Sequence, residues 1–301
     1  MNPAATRYCI ACNTRVPGGA VVCPADGGAT FPVGRESDVL GRRIGDRYVL
    51  LEPLASGGMS TVYRAVQLAF ERVVALKILR GGDDDDALRF DREARIASRL
   101  SNPHAVRILD FGRTDEGERF LVMEMIEGRS LASVIASDDV PMEPGRASRI
   151  ALQILDALDE AHSAGFLHRD VKPGNVLIAS STVERDFVKL VDFGLARPLE
   201  EGDSRITRIG RTAGTPAYMS PEQCYATGLD ARTDLYAVGV VLFELLTGQL
   251  PHDDQSSIQL VAKKISRSAP RLGDVLTGRR VPADLEDLVA QLLEIDKAHR
   301  P

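Results

Sequence analysis

His168-Arg169-Asp170-Val171-Lys172-Pro173-Gly174-Asn175, followed seventeen residues later by Asp192 in VKLVDFGLA, is the stretch on which the reading of this chain turns. Asp170 offers a carboxylate that can orient a hydroxyl and take its proton. Lys172, two residues on, can hold a cation over a migrating anionic group. Asn175 supplies a neutral carbonyl oxygen, a hard ligand suited to magnesium. Asp192 follows an apolar strand, where a carboxylate is costly unless it meets a cation, and Gly194 lets the chain turn sharply behind it. Either short motif alone carries little. Together and in order, they suit phosphoryl transfer to a hydroxyl.

Working outward, the texture of the chain changes on either side of Gly128. From Tyr48 to Ile126 the apolar runs are short and β-branched (YVLLEPL, TVYRAV, RVVALKIL, AVRILDFG, RFLVMEMI), with Gly, Asp and Glu between them, as strands and turns require. One helix is expected at about 85–100, its apolar positions Leu88, Ala94, Ala97 and Leu100 at helical spacing and the aspartates 83–86 at its start. After Gly128, ASRIALQILDALDEAHSAG shows a helical stripe ending at a glycine. The expected fold class is α+β: a small β-rich lobe (48–126), a large helical lobe (127–301) and a ligand cleft between them. Residues 1–35 form a Cys-, Gly- and Pro-rich knuckle with too few apolar residues for its own core, and 36–47 reads as a linker.

Composition narrows the class. A chain of 301 residues with 44% hydrophobic and 27% charged residues is that of an ordinary globular protein. A net charge of -6 argues against a nucleic-acid partner, whose surface needs a basic excess. The longest apolar run, Leu235 to Leu246, is too short to cross a bilayer and reads as a buried helix. The start, MNPAATRYCIAC, lacks a secretory pattern, so a cytoplasmic location is expected.

With these motifs in view, residues 48–301 resemble a bacterial member of the eukaryotic-type protein serine/threonine kinase family. The resemblance implies that Asp170 is the catalytic base, that Lys172 balances charge, and that Asn175 and Asp192 hold the magnesium ions of ATP. VALK ends at Lys77, similar to the strand lysine that meets the α- and β-phosphates, and Glu93 matches the partner that orients it. The phosphate-covering loop, Leu54, Ala55, Ser56, Gly57, Gly58, Met59, Ser60, Thr61 and Val62, departs from the family pattern: Ala55 and Ser60 stand where glycines are usual. Val62, Ala75 and Leu177 would enclose adenine, Met123 would control a back pocket, and the backbones of Glu124 and Ile126 would bond the base. GTPAYMSPEQ, 214–223, resembles the end of an activation segment, with Thr215 near Asp170 and Lys172. Lys172 favours serine or threonine acceptors over tyrosine. The resemblance also pairs Glu222 with Arg300, and lets Asp234 accept hydrogen bonds from the catalytic loop. Thr207 and then Thr212, ahead of Ser204, are the expected autophosphorylation sites.

Three of the four cysteines crowd into the first 23 residues. Cys9-x2-Cys12 and Cys23-x2-Asp26 have the paired spacing of a zinc ribbon, with Asp26 in the place of a fourth cysteine. The CPxDG wording is similar to ribbons that precede some bacterial kinases, which implies partner docking or regulation. Free thiols and a disulfide stay open beside metal binding; Cys224 reads as a packed thiol. Three other functions remain to be separated: a nucleotide-binding pseudokinase, a small-molecule phosphotransferase, and an interaction protein led by the knuckle. Retention of Lys77, Asp170, Asn175 and Asp192 argues against the first, and the peptide-docking segment against the second.

Overall fold

The computed structural model describes residues 6–33, 38–58, 60–81, 84–137, 141–180, 185–193, 216–225, 227–276, 278 and 280–301. The chain divides into two compact units, Met1–Ala94 with Arg107–Met125, and Arg95–Val106 with Ile126–Pro301.

The first unit holds two sheets. Strands β1 (Thr6–Cys9), β2 (Arg15–Val16) and β3 (Thr30–Val33) form a small antiparallel sheet in the order β2-β1-β3. The second sheet is built from β4 (Arg43–Ile44), β5 (Tyr48–Ser56), β6 (Ser60–Gln67), β7 (Arg72–Leu79), β8 (Ile108–Arg113) and β9 (Arg119–Glu124), in the order β4-β5-β6-β7-β9-β8. The β-branched runs picked out in the sequence supply β5 to β9. Pro53 sits in β5 between two register shifts, where a residue without an N–H does least harm to the ladder.

Tyr48-Val49-Leu50-Leu51 is apolar without a break, and the structure explains why. Alternate side chains go to opposite faces. Tyr48 and Leu50 join Ile44, Tyr63, Val74, Leu76, Phe120 and Val122 on one side. Val49 and Leu51, with Val66, pack instead against Tyr8, Ile10, Phe31 and Val33 of the small sheet. The knuckle therefore borrows a core from β5 and β6. That answers the shortage of apolar residues noted in the sequence.

The stretch expected to be a linker is partly structural. Arg43 pairs with Val49 and Ile44 with Tyr48, and Ile44 is buried. Gly41 has φ +84°, and a Cβ placed there would run into Tyr8 Oη, so only glycine lets the tyrosine seat. Helix α1 (Asp84–Ala97) starts within the aspartate run, as expected. One position in its stripe is corrected. Leu88 is 69% exposed, and Phe90, two residues and about 200° further round the helix, is the buried anchor with Ala94 and Ala97.

In the second unit, β10 (Gly128–Ser130), β11 (Val176–Ala179) and β12 (Phe187–Leu190) form an antiparallel sheet, and the rest is helical: α2 (Leu131–Ser137), α3 (Pro144–Ser163), α4 (Pro221–Tyr225), α5 (Ala231–Thr247), α6 (Ser257–Ser266), α7 (Leu272–Val275) and α8 (Ala283–Leu292). Glu143 caps α3 by accepting from the N–H groups of Gly145 and Arg146, and the helix runs out at Gly165, φ +74°. Its buried stripe is Ala147, Ile150, Ala151, Ile154, Ala157, Leu158 and Ala161. α5 contains the long apolar run and is buried on nearly all sides, as a central helix should be. No helix among the described residues is long and apolar enough to cross a membrane.

Candidate functional site

The loop between α3 and β11 carries the chemistry-bearing residues of the second unit. His168 is fully buried, and burial lowers its pKa, so the ring is neutral. Its Nε2 donates to Val191 O at 3.0 Å, and its Nδ1 accepts from the Asp170 N–H at 3.3 Å. The ring also meets Phe193, centroids 4.8 Å apart. One imidazole thus ties the loop to the segment that follows β12 and carries Asp192.

The same loop is anchored from α5. Asp234, buried, accepts from His168 N (2.8 Å) and Arg169 N (2.7 Å), as expected from the sequence. It also accepts from His162 Nε2 at 2.8 Å, a contact that local sequence pattern gives no sign of. Gln223 Nε2, on α4, donates to Arg169 O at 2.9 Å and was likewise not foreseen. Arg169 and Asp192 adopt φ of 61° and 60°, a left-handed conformation that non-glycine residues hold only where their surroundings enforce it.

Around Asp170 the geometry is tight. Lys172 Nζ donates to Asp170 Oδ2 at 2.9 Å, and Asn175 Nδ2 donates to Asp170 O at 2.8 Å and Oδ2 at 3.1 Å. These bonds fix the plane of the Asn175 amide, and with it the direction of Oδ1. The turn Pro173–Asn175 closes with Asn175 N on Lys172 O, and Val191 N bonds Asn175 O. The expected pair of Glu222 with Arg300 is formed, at 2.7 Å. Leu177 lies on β11.

In the first unit, Leu54, Ala55 and Ser56 are the exposed end of β5, Gly57 and Gly58 follow in the turn, and Ser60, Thr61 and Val62 open β6. Gly57 N bonds Ser60 O at 2.8 Å. Val62 pairs with Lys77 across β6 and β7, and Ala75 with Met123 across β7 and β9. Opposite residues share a face, as do residues two apart, so Val62, Ala75, Lys77 and Met123 project to one side. Glu93 is half-buried on α1, Glu124 ends β9, and Ile126 follows it. Met59, Gly194, Ser204, Thr207, Thr212 and Thr215 lie outside the described residues.

A second cluster stands in the knuckle. Ligand atoms of Cys9, Cys12, Cys23 and Asp26 all lie within 4.8 Å of one another. Cys12 and Cys23 Sγ are 3.7 Å apart, and Cys9 Sγ is 3.4 Å from Asp26 Oδ2. Two sulfurs held tetrahedrally at 2.3 Å from one ion would be about 3.8 Å apart, so the spacing fits zinc. Asp26 Oδ1 accepts from Gly28 N at 2.8 Å, and that bond, first among its contacts, holds its carboxyl down to about 2. None of the four cysteines, all of them among the described residues, is in a disulfide, and Cys224 is buried, as a packed thiol should be.

Comparison with known proteins agrees with this geometry. The protein kinase domain model matches residues 48–301. A Myxococcus xanthus protein named serine/threonine-protein kinase pkn3 is 39% identical over 88% of this chain and 49% of its own length. Serine/threonine-protein kinase PrkC of Bacillus subtilis is 36% identical over 87% of this chain and 39% of its own length. The chain thus spans half or less of the length of these curated relatives. The crystal structure of the Mycobacterium tuberculosis PknI kinase domain matches with a TM-score of 0.67 at 27% identity, covering 88% of this chain and 94% of that one. The chain belongs to the protein kinase domain family, in its bacterial serine/threonine branch.

Proposed function

We propose that the protein transfers the γ-phosphoryl group of ATP to serine and threonine hydroxyls of proteins, itself included. The observation that carries this reading is the cluster of Asp170, Lys172 and Asn175 on one rigid turn. When bound, magnesium supplies charge neutralisation on the phosphates, held by Asn175 and Asp192. Asp170 accepts the proton of the acceptor hydroxyl as it attacks. Lys172, already on the Asp170 carboxylate, offsets charge on the moving phosphoryl group. Lys77, oriented by Glu93, holds the α- and β-phosphates; Val62, Ala75, Met123 and Leu177 meet the base with the backbones of Glu124 and Ile126. Thr215 positions the acceptor. Gly57 supports a phosphate-approach role for its turn. It lacks a positive φ, and among the described residues a Cβ there would meet only Ser60 O at 3.7 Å, so neither strain nor crowding by those residues demands glycine.

Thr207 and Thr212 are the proposed autophosphorylation sites. We assign zinc to Cys9, Cys12, Cys23 and Asp26, in a segment 1–35 that regulates or docks. Val21 and Val22 of that segment, 67% and 59% exposed, are where a partner would touch it. A cytoplasmic location suits both ATP and reduced thiols.

The test is transfer of radiolabelled γ-phosphate from ATP to protein acceptors, with sites mapped by mass spectrometry. Asp170→Asn is expected to lower kcat by roughly 10²–10⁴-fold, the usual worth of a general base. Nucleotide binding without any transfer, by the unaltered chain on every acceptor tried and on itself, would favour a pseudokinase and overturn the proposal.

A further inference from the structure

We propose that a metal ion bound by Cys9, Cys12, Cys23 and Asp26 tightens nucleotide binding by the kinase, because the metal-stapled sheet packs on the same sheet face that presents Val62, Ala75 and Lys77. The proposal rests on the zinc and kinase readings above and adds a coupling between them.

The register places the two regions side by side. Val62, Arg64 and Val66 alternate along one face of β6, opposite Lys77, Ala75 and Val73 of β7. At one end of this face, Val66 and Val73, with Val49 and Leu51, are covered by Tyr8, Ile10, Phe31 and Val33. At the other end stand Val62 and Lys77. Arg64 lies between, directly across from Ala75. Its Nη1 donates to Pro32 O of β3 at 3.0 Å and to Glu52 Oε1 at 3.5 Å. β5, whose first half the knuckle covers, runs on through Glu52 into the turn at Gly57 and Gly58.

The cluster is also the knuckle's main internal support. Among the described residues, the core grouped around it is only Cys9, Val16 and Cys23, with Cys12 and Ala20 beside them. Cys9 ends β1 and is flanked directly by the packing residues Tyr8, on the strand, and Ile10, just past its end. A unit this small takes most of its folding free energy from a bound metal. Without the ion, the apolar cover and the Arg64–Pro32 bond lose their support, and β5, β6 and the turn between them are freed. A nucleotide must then order that hairpin as it binds, at a cost to its affinity.

Linkage makes the idea testable in both directions. If zinc tightens nucleotide, nucleotide must tighten zinc by the same factor. The full chain, stripped by chelator and dialysed, is titrated with a non-hydrolysable ATP analogue and excess Mg2+, with and without one equivalent of Zn2+. We expect the analogue's Kd to be weaker by about fivefold or more without zinc, the lower end of ordinary coupling. Co2+ absorption should separately report a thiolate site, and Zn2+ affinity should rise by the matching factor when the analogue is present. Cys12→Ser should abolish both zinc binding and the zinc effect. Hydrogen exchange on zinc removal should speed up in residues 49–51 and 60–66 but not in β8 and β9. Zinc that binds, with an unchanged nucleotide Kd, overturns the coupling and leaves the metal site standing. A chain that binds neither Co2+ nor Zn2+ overturns both. Loss of protection throughout both units, rather than in these strands, also overturns the coupling.

Discussion

Arg300 closes a two-pronged ion pair on Glu222 across 78 residues of sequence, Nη1 at 2.7 Å from Oε1 and Nη2 at 3.0 Å from Oε2. The guanidinium is buried, stacks on Tyr236 at 4.9 Å, and gives its remaining bonds to the carbonyls of Arg232, Glu294 and Ile295. Removing one partner strands a buried charge. Arg300→Ala or Glu222→Ala should therefore cost about 3–5 kcal/mol in urea unfolding. Burial works to raise the Glu222 pKa, but Arg300 prevails and holds it below the ordinary 4.5. Its contribution is accordingly present above pH 4.5 and fades as acid takes the pH through the lower folded value.

Asp234 should matter to rate more than to ATP binding, because it holds the backbone of His168 and Arg169 rather than any phosphate. Asp234→Asn replaces one acceptor oxygen by a donor and breaks a charge-assisted bond worth about 1.5–3 kcal/mol. We expect kcat to fall roughly tenfold or more, with the KM for ATP little changed. Loss in KM alone would contradict this placement.

Lys264 is a buried amine whose Nζ donates to Met219 O at 2.8 Å and lies 5.0 Å from the Tyr236 ring. Burial pushes its pKa down from 10.5 to about 7. Between those values the unfolded chain binds the extra proton, so stability rises with pH; below about 7 both states are charged and the burial cost is felt in full. Lys264→Met keeps the stem and removes the charge. It should stabilise the protein by about 2 kcal/mol at pH 6, with the gain shrinking towards pH 10, as read from urea midpoints.

Gly41 and Tyr8 test the seating of the knuckle. Gly41→Ala meets the Tyr8 hydroxyl and a positive φ together, and should cost about 1–3 kcal/mol from backbone strain alone. Tyr8→Phe in the same chain should recover part of the loss, since it removes the nearest atom. A double-mutant cycle on thermal unfolding measures that recovery.

What could be read from the sequence was what is local. Asp170, Lys172 and Asn175 fall within six consecutive residues, so their shared chemistry is visible before any folding. Runs such as RVVALKIL announce strands because β-branched residues suit a pleated surface. Contacts made at a distance left little trace: His162 reaches Asp234, and Gln223 the backbone of Arg169, through tertiary packing that no spacing encodes. Leu88 stands six residues before Ala94 and so falls off its face of the helix, whereas Phe90 stands four before it, on the buried stripe. The knuckle's dependence on the larger sheet did leave a sign, the unbroken apolar run 48–51 where a one-sided strand would alternate.

That run has a practical meaning for anyone preparing the protein. A recombinant fragment trimmed to the span that the protein kinase domain model matches would begin at Tyr48. It would lose β4, turning β5 into a sheet margin, and would bare Val49, Leu51 and Val66 to water. An oily, unprotected border of this kind invites strand-to-strand sticking between molecules. Such a fragment should come out of cells as aggregate, while the chain kept from its first cysteines onward stays dispersed.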